Sequence, residues 1–396
     1  MPRFEPFRAL RYDHSSPSDL QAVMAPPYDV LSDADRAELA GRHPHNIVHV
    51  DVPMEADGPG RYDAAARTLR DWIDRGVVRL DPSPSFTIYR MDFTDESGRR
   101  RRTSGVIGAL EVVDEGAGGV LPHERTTPKA KTDRLDLTRA TRTNLSPVWG
   151  LSLTPGLTAL LDEPGEPMGS VEFEGVVHTF ERVIDPSRVN AIARAVGSHD
   201  VVIADGHHRY AISRTFRDEE RAAGRTVDTT MTYVGELIAE QLSVDAIHRL
   251  YSGISFTDLR AALASSFDIE PLGAVTPAVT STMRDRGALV LVAPDGTGEL
   301  LVPRADSFAG VRDLDGARLE HALADVAHDV TYQHGVTNVV GIVATRGSIT
   351  AGVLIRPVSV AEIRRTADEG LLMPPKSTFF TPKLRTGPVL RPVDAN

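Results

Sequence analysis

The run Val201-Val202-Ile203-Ala204-Asp205-Gly206-His207-His208-Arg209-Tyr210 constrains this chain more than any other stretch. Four consecutive apolar residues read as a buried strand. Asp205-Gly206 then turns the chain directly into a helix expected from His207 to about Ala222. Elsewhere the pattern is mixed. Phe86–Phe93 alternates as a strand, and Ser97-Gly98 turns it into a second strand around Gly105–Val113. Ser170–Phe173 and Val176–Val183 flank Glu174-Gly175 as another hairpin. Helices and strands alternate while hairpins intrude, so the expected class is α+β, or mixed α/β, rather than a regular doubly wound sheet.

The remaining elements follow from spacing and end signals. Ser32-Asp33 caps a helix to about Ala40, and Tyr62, Ala65, Ala66, Leu69, Trp72 and Ile73 share a helix face that Gly76 ends. Strands are expected at Pro147–Leu153 and Thr230–Ile238, and a helix at Pro186–Val196. Beyond Phe256 come helices near Leu259–Phe267, Gly316–Ala327 and Ser359–Thr366, with strands at Ala288–Val292, Val339–Val343 and Thr350–Ile355. Pro53–Gly60 reads as a mobile loop and Gly387–Asn396 as a loose tail. The expected organisation is an N-terminal α/β region over 1–115, a central phosphate-binding region over 116–255 and a C-terminal α/β region over 256–396.

Composition narrows the function. Fifty-five acidic against 44 basic residues give a formal charge of −11, which argues against a broad nucleic-acid surface but not against a small basic pocket. With no cysteine, disulfides, thiolate metal sites and cysteine nucleophiles are excluded. The start lacks the apolar run of a signal peptide, and no stretch approaches the roughly 18 uninterrupted apolar residues of a membrane span. The expectation is a cytoplasmic enzyme or binding protein, with pairing of chains left open.

The strongest chemical signal is the Asp205 loop. The first amides of a helix lack internal partners and carry partial positive charge, so they attract anions. Gly206 allows close approach and an unusual φ. His207, His208 and Arg209 add donors, Arg209 in a geometry suited to phosphate. The structural alternative is that Asp205 only caps the helix. A metal held by His207 and His208 is disfavoured, because neighbouring helical residues point about 100° apart.

A second cluster comprises Pro122-His123-Glu124-Arg125-Thr126 with Lys129, Lys131, Asp133 and Arg134. Phosphoryl transfer needs cations on the moving group and a base at the nucleophile. Here Glu124 and His123 are candidate bases, and Lys131 and Arg134 candidate phosphate ligands. A solvated loop running into a charged helix face fits the same residues. Ala25-Pro26-Pro27-Tyr28-Asp29-Val30 is a stiff turn that either aims Tyr28 and Asp29 at a pocket or makes a structural corner. Lys376-Ser377-Thr378, followed by Lys383, offers a lysine and two hydroxyls but lacks the glycine spacing of a Walker A loop. Two signals are set aside. Arg99–Arg102 reads as a solvated hairpin loop, and His43, His45 and His49 near Asp51 read as surface or satisfied histidines rather than a metal site.

These motifs carry two resemblances. The Asp205 hexapeptide resembles the phosphate-binding signature of the ParB/sulfiredoxin-like superfamily, which includes nucleotide-dependent free serine kinases and CTP-binding partition proteins. That local likeness, over about 201–216, implies a ParB/sulfiredoxin-like core there. A longer resemblance is to domain-of-unknown-function family 1015. It rests in order on Ala25–Val30, Pro122–Thr126, Asn144-Leu145-Ser146-Pro147, the Asp205 loop and Met373-Pro374-Pro375-Lys376-Ser377-Thr378-Phe379-Phe380.

The resulting expectation is a phosphotransferase or phosphohydrolase acting on a small metabolite, with Mg²⁺ and ATP or ADP as candidate cofactors. In that scheme Gly206, His207, His208 and Arg209 hold phosphate, Asp205 or Glu124 activates the acceptor, and Lys131, Arg134 and Lys376 neutralise developing charge. Serine or a similar hydroxylated acceptor is implied only by the kinase resemblance. The alternative is a nucleotide-binding regulator with little or no turnover.

Overall fold

The computed structural model describes residues 1–13, 17–55, 60–95, 98–125 and 131–395. Ser97, Thr126, Lys129 and half of the Pro53–Gly60 loop lie outside these residues, and for Lys131 only the backbone is described. The fold is mixed α/β. Two compact units divide the chain, one formed by Met1–Ser243 with Pro382–Asn396 and the other by Val244–Thr381.

The first unit is built on a mixed sheet. Its strands run in the order Val120–Pro122, Val201–Asp205, Val148–Ser152, Thr229–Glu236, Arg100–Glu111, Phe86–Thr94, Val176–Val183 and Glu166–Phe173. Both expected hairpins form. Phe86–Thr94 pairs antiparallel with Arg100–Glu111, and Glu174 and Gly175 turn the other hairpin with φ of 51° and 78°. Two positive φ values in a row match the twist of the strands they join. Helices Pro186–Val196 and His207–Ala222 have the expected bounds. The first is fixed by Asp185, whose side chain accepts from the Arg188 amide. The core lies between sheet and helices, where Val106, Val148, Val201, Ile203, Ile192 and Tyr210 pack together.

Two expectations in this unit are corrected. Arg101 and Arg102 belong to a strand rather than a solvated loop. Arg101 pairs with Asp95 at 2.5 Å and donates to the Ala239 carbonyl, while Arg102 grips Asp92. The tail is anchored as well. Leu390 pairs with Leu10, and Arg391–Pro392 with Thr143–Asn144. Arg142 then clamps Asp394 with two bonds of 2.5 and 2.6 Å.

The second unit is an antiparallel sheet in the order Phe267–Ala274, Thr297–Pro303, Leu289–Val292, Ala351–Leu354, Ile247–Ser252 and Asp329–His334. Alternate residues of Leu289–Val292 feed two cores, with Leu289 and Leu291 in one and Val290 and Val292 in the other. Val336–Thr345 is a helix, where a strand was expected at Val339–Val343. The apolar run reads equally as strand, but Val336, Val339 and Val343 are buried at helical spacing. The helix expected through Phe267 ends at Ala264, and Phe267 opens a strand. A Val339→Asp substitution, placing a charge where exposure is nil, is expected to unfold this unit in a urea titration.

Candidate functional site

The Val201–Asp205 strand lies between Val120–Pro122, which is parallel to it, and Val148–Ser152, which is antiparallel. That parallel pairing brings His123 beside the Ile203 carbonyl, two residues before Asp205. The ladder with Val148–Ser152 slips between Ile203 and Asp205, a bulge of the kind that re-aims a side chain at a sheet's end. Gly206 follows in the left-handed region, with φ 84° and ψ 27°, and the helix begins without a side-chain cap. A left-handed residue followed by helical ones forms a concave nest of amides suited to an anion. Tyr210 locks the helix in place, donating to the Glu111 carbonyl and accepting from the Val113 amide.

Asp205 does not cap this helix. One carboxylate oxygen accepts from Arg209 at 2.7 Å and the other from Lys383 at 3.1 Å. Burial alone would raise its pKa, but Lys383 and Arg209 outweigh burial and hold the carboxyl well below the usual carboxylate range. Arg209 also donates to the Pro147 carbonyl, which folds its guanidinium over the turn. A Cβ on Gly206 would lie 2.9 Å from Arg209 Nε. The glycine is therefore required by its φ and by its own ion-pair neighbour. Gly206→Ala is expected to cost about 1–3 kcal/mol in a denaturant titration.

His123 follows directly after its strand and is fully buried. Its Nδ1 lies 2.5 Å from the Ile203 carbonyl. A carbonyl only accepts, so Nδ1 carries the proton and Nε2 is the basic face. Burial lowers its pKa to about 4, so the ring is neutral at pH 7. The His207 ring is 4.9 Å away, and His207 is itself buried. His208 and Glu124 are half-buried nearby in sequence, and Glu124 follows His123 at the end of the parallel strand.

Arg134 stands one turn into the Lys131–Thr141 helix. It donates to the Asp51 carbonyl at 2.5 Å, to Asp51 Oδ1 at 3.2 Å and to Asp133 at 2.8 Å. Its guanidinium lies 4.2 Å over the Tyr28 ring, a cation–π contact. Tyr28 opens a short 3₁₀ turn after the two prolines, and Asp29 beside it is exposed. Burial raises the Tyr28 pKa, opposed by Arg209 and Arg134, so both arginines act on this turn. Tyr28, Asp29, His123, Arg134, Asp205, His207 and Arg209 thus belong to one neighbourhood. Lys376, Ser377 and Thr378 belong to the second unit. There Lys376 is exposed with φ 58°, its carbonyl accepts from Arg249, and Ser377 donates to the Pro374 carbonyl.

Two residues of this neighbourhood were noted in the sequence but not assigned to the Asp205 loop. Lys383 reaches Asp205 across 178 positions. Asp51, set aside with the nearby histidines, is only 2 % exposed and is bound by Arg134 across 83 positions. No local spacing encodes either pairing. Among the described residues no group of three acidic or histidine side chains gathers as a metal cage, and no helix is long and apolar enough to cross a membrane.

The fold and the site together define a mixed α/β protein with an uncapped strand-to-helix turn whose aspartate is held by two cations. The chain belongs to the protein family of unknown function DUF1015, whose pattern matches residues 4–317. No curated protein matches it. Among solved structures it is similar to a conserved hypothetical protein from Pyrococcus furiosus, with 12% identity, 70% of this chain and 94% of that chain covered, and a TM-score of 0.40. A free serine kinase in complex with AMP is similar at 12% identity, with 70% and 90% covered and a TM-score of 0.40. SbnI with a C-terminal truncation, from Staphylococcus aureus, is similar at 11% identity, with 72% and 87% covered and a TM-score of 0.39. Likenesses this loose carry nothing about ligand or reaction.

Proposed function

We propose that this protein is a phosphotransferase or phosphohydrolase acting on a small hydroxylated metabolite, with a nucleotide such as ATP or ADP at the Asp205 loop. The observation that carries the reading is the uncapped, left-handed helix start at Gly206, flanked by Arg209 and Lys383 on one carboxylate. Phosphate is held by the amides after Gly206, by His207 and His208, and by the two cations. Arg134 stands within the same neighbourhood, and Lys131 is a further candidate to neutralise charge. Asp205, already saturated by cations, is a poor proton acceptor, so its role is to fix Arg209 and Lys383. Glu124 takes the proton from the attacking hydroxyl or water as the new P–O bond forms and the old one breaks, with His123 Nε2 as the second candidate. Mg²⁺ binds through phosphates, waters and one or two carboxylates. The exposed Asp29 suits that role, and the ion would supply charge neutralisation on the phosphates.

Turnover separates this reading from a nucleotide-binding regulator. With ATP, Mg²⁺ and a set of hydroxylated metabolites, nucleotide consumption is expected to rise when the acceptor is present. Glu124→Gln is expected to lower that rate by about 10²–10⁴ with nucleotide binding retained. Tight nucleotide binding with no stimulated turnover under any acceptor would favour the regulator.

A further inference from the structure

Arg209, which grips Asp205, also lines a small cleft partly open to solvent. Arg134 and Asp51 stand on its wall, Leu137 and Ile212 give it apolar surface, and Ser146 lends a hydroxyl.

The informative atom is Asp51 Oδ2. Asp51 is 2 % exposed, and its Oδ1 accepts from Arg134 at 3.2 Å, yet Oδ2 has no hydrogen-bond partner among the described residues. A buried carboxylate oxygen without a donor is costly, and native structures satisfy such atoms with water, ions or ligands. A carboxylate accepts only, so whatever completes it must donate. An ionised phosphate oxygen has no proton to give, whereas a sugar or polyol hydroxyl has. Ser146, half-buried and at the mouth of the Pro147 turn that Arg209 grips, offers a second polar contact.

We propose that this cleft holds the hydroxylated carbon skeleton of the phosphorylated ligand, with Asp51 Oδ2 accepting one of its hydroxyl protons. The inference rests on the phosphate reading of the Asp205 loop. The hydroxyls belong either to a nucleotide ribose or to a phosphorylated polyol, and the two sources are separable by experiment.

The test is calorimetric titration of the full chain with AMP, 2′-deoxy-AMP, glycerol 3-phosphate and inorganic pyrophosphate. Wild type is compared with Asp51→Asn and with Ser146→Ala, which leaves the Asp51–Arg134 contact in place. Removal of a hydrogen bond to a charged group predicts a roughly 10- to 100-fold loss in Asp51→Asn for the hydroxylated ligand, well beyond any loss for pyrophosphate, which has no hydroxyl to give Asp51 Oδ2. Ser146→Ala should weaken the same ligand several-fold. A loss confined to AMP, with 2′-deoxy-AMP already weak on wild type, assigns the ribose, and a loss confined to glycerol 3-phosphate assigns a polyol. Pyrophosphate binding with every hydroxylated ligand indifferent to both variants overturns the cleft assignment alone. Absence of binding by pyrophosphate and every other probe overturns the phosphate reading and this inference together.

Discussion

Replacing Asp205 with alanine is expected to destabilise the protein by about 3 kcal/mol and to abolish phosphate binding. The carboxylate is the shared partner of Arg209 and Lys383, whose side chains are 11% and 17% exposed. Breaking a buried pair from one side leaves the other charge uncompensated, which typically costs 3–5 kcal/mol, and here partial exposure places it at the lower end. Asp205→Asn keeps the shape and removes the charge, so it should recover little of the loss. The midpoint of a urea titration at pH 7 checks this. An Asp205→Ala protein as stable as wild type would mean that the two cations are held by something other than this carboxylate.

Acidification from pH 7 to pH 5 is expected to cost about 2 kcal/mol for each of His123, His178 and His248. Burial lowers these side chains to about 4, 3 and 4 respectively. In the unfolded chain a histidine takes up its proton near 6.5, whereas the folded protein excludes it until about 4. The unfolded state therefore binds more protons across that window, and stability falls as pH falls through it. Asp205 acts in a different range. Its depressed carboxyl contributes stability that is present above the unfolded value near 3.9 and is lost only at lower pH. Denaturation midpoints at pH 7, 6 and 5 measure the slope, and replacing His123 with glutamine should flatten it by one histidine's share. A profile flat between pH 7 and 5 would mean that these rings are not buried neutral.

What the sequence made legible was local. The Pro186–Val196 and His207–Ala222 helices carry their own end signals, so their limits could be read directly. The Glu174-Gly175 turn announced its hairpin in the same way. Val336–Thr345 failed because a run of valine and isoleucine suits either period, and only the packing of Val339 and Val343 decides between them. The Asp205 turn was legible as a place where chemistry could occur, but not its ion pairs. Those depend on Lys383, delivered by a tail that pins itself to Leu10 and Asn144, and on an arginine that folds back over its own glycine. Asp51 looked like one more polar residue among histidines until Arg134 closed on it from 83 positions away.

The proposed chemistry stands or falls with phosphate binding at the Asp205 turn. A thermal-shift titration with pyrophosphate, AMP, ADP and ATP in the presence of Mg²⁺, on wild type and on Arg209→Gln, tests it most directly. A ligand at about 100 times its Kd should stabilise wild type by roughly 2.7 kcal/mol. Such a shift is expected in wild type and is expected to be lost in a folded Arg209→Gln protein. No shift with any phosphate ligand, or one that survives the substitution intact, would contradict it.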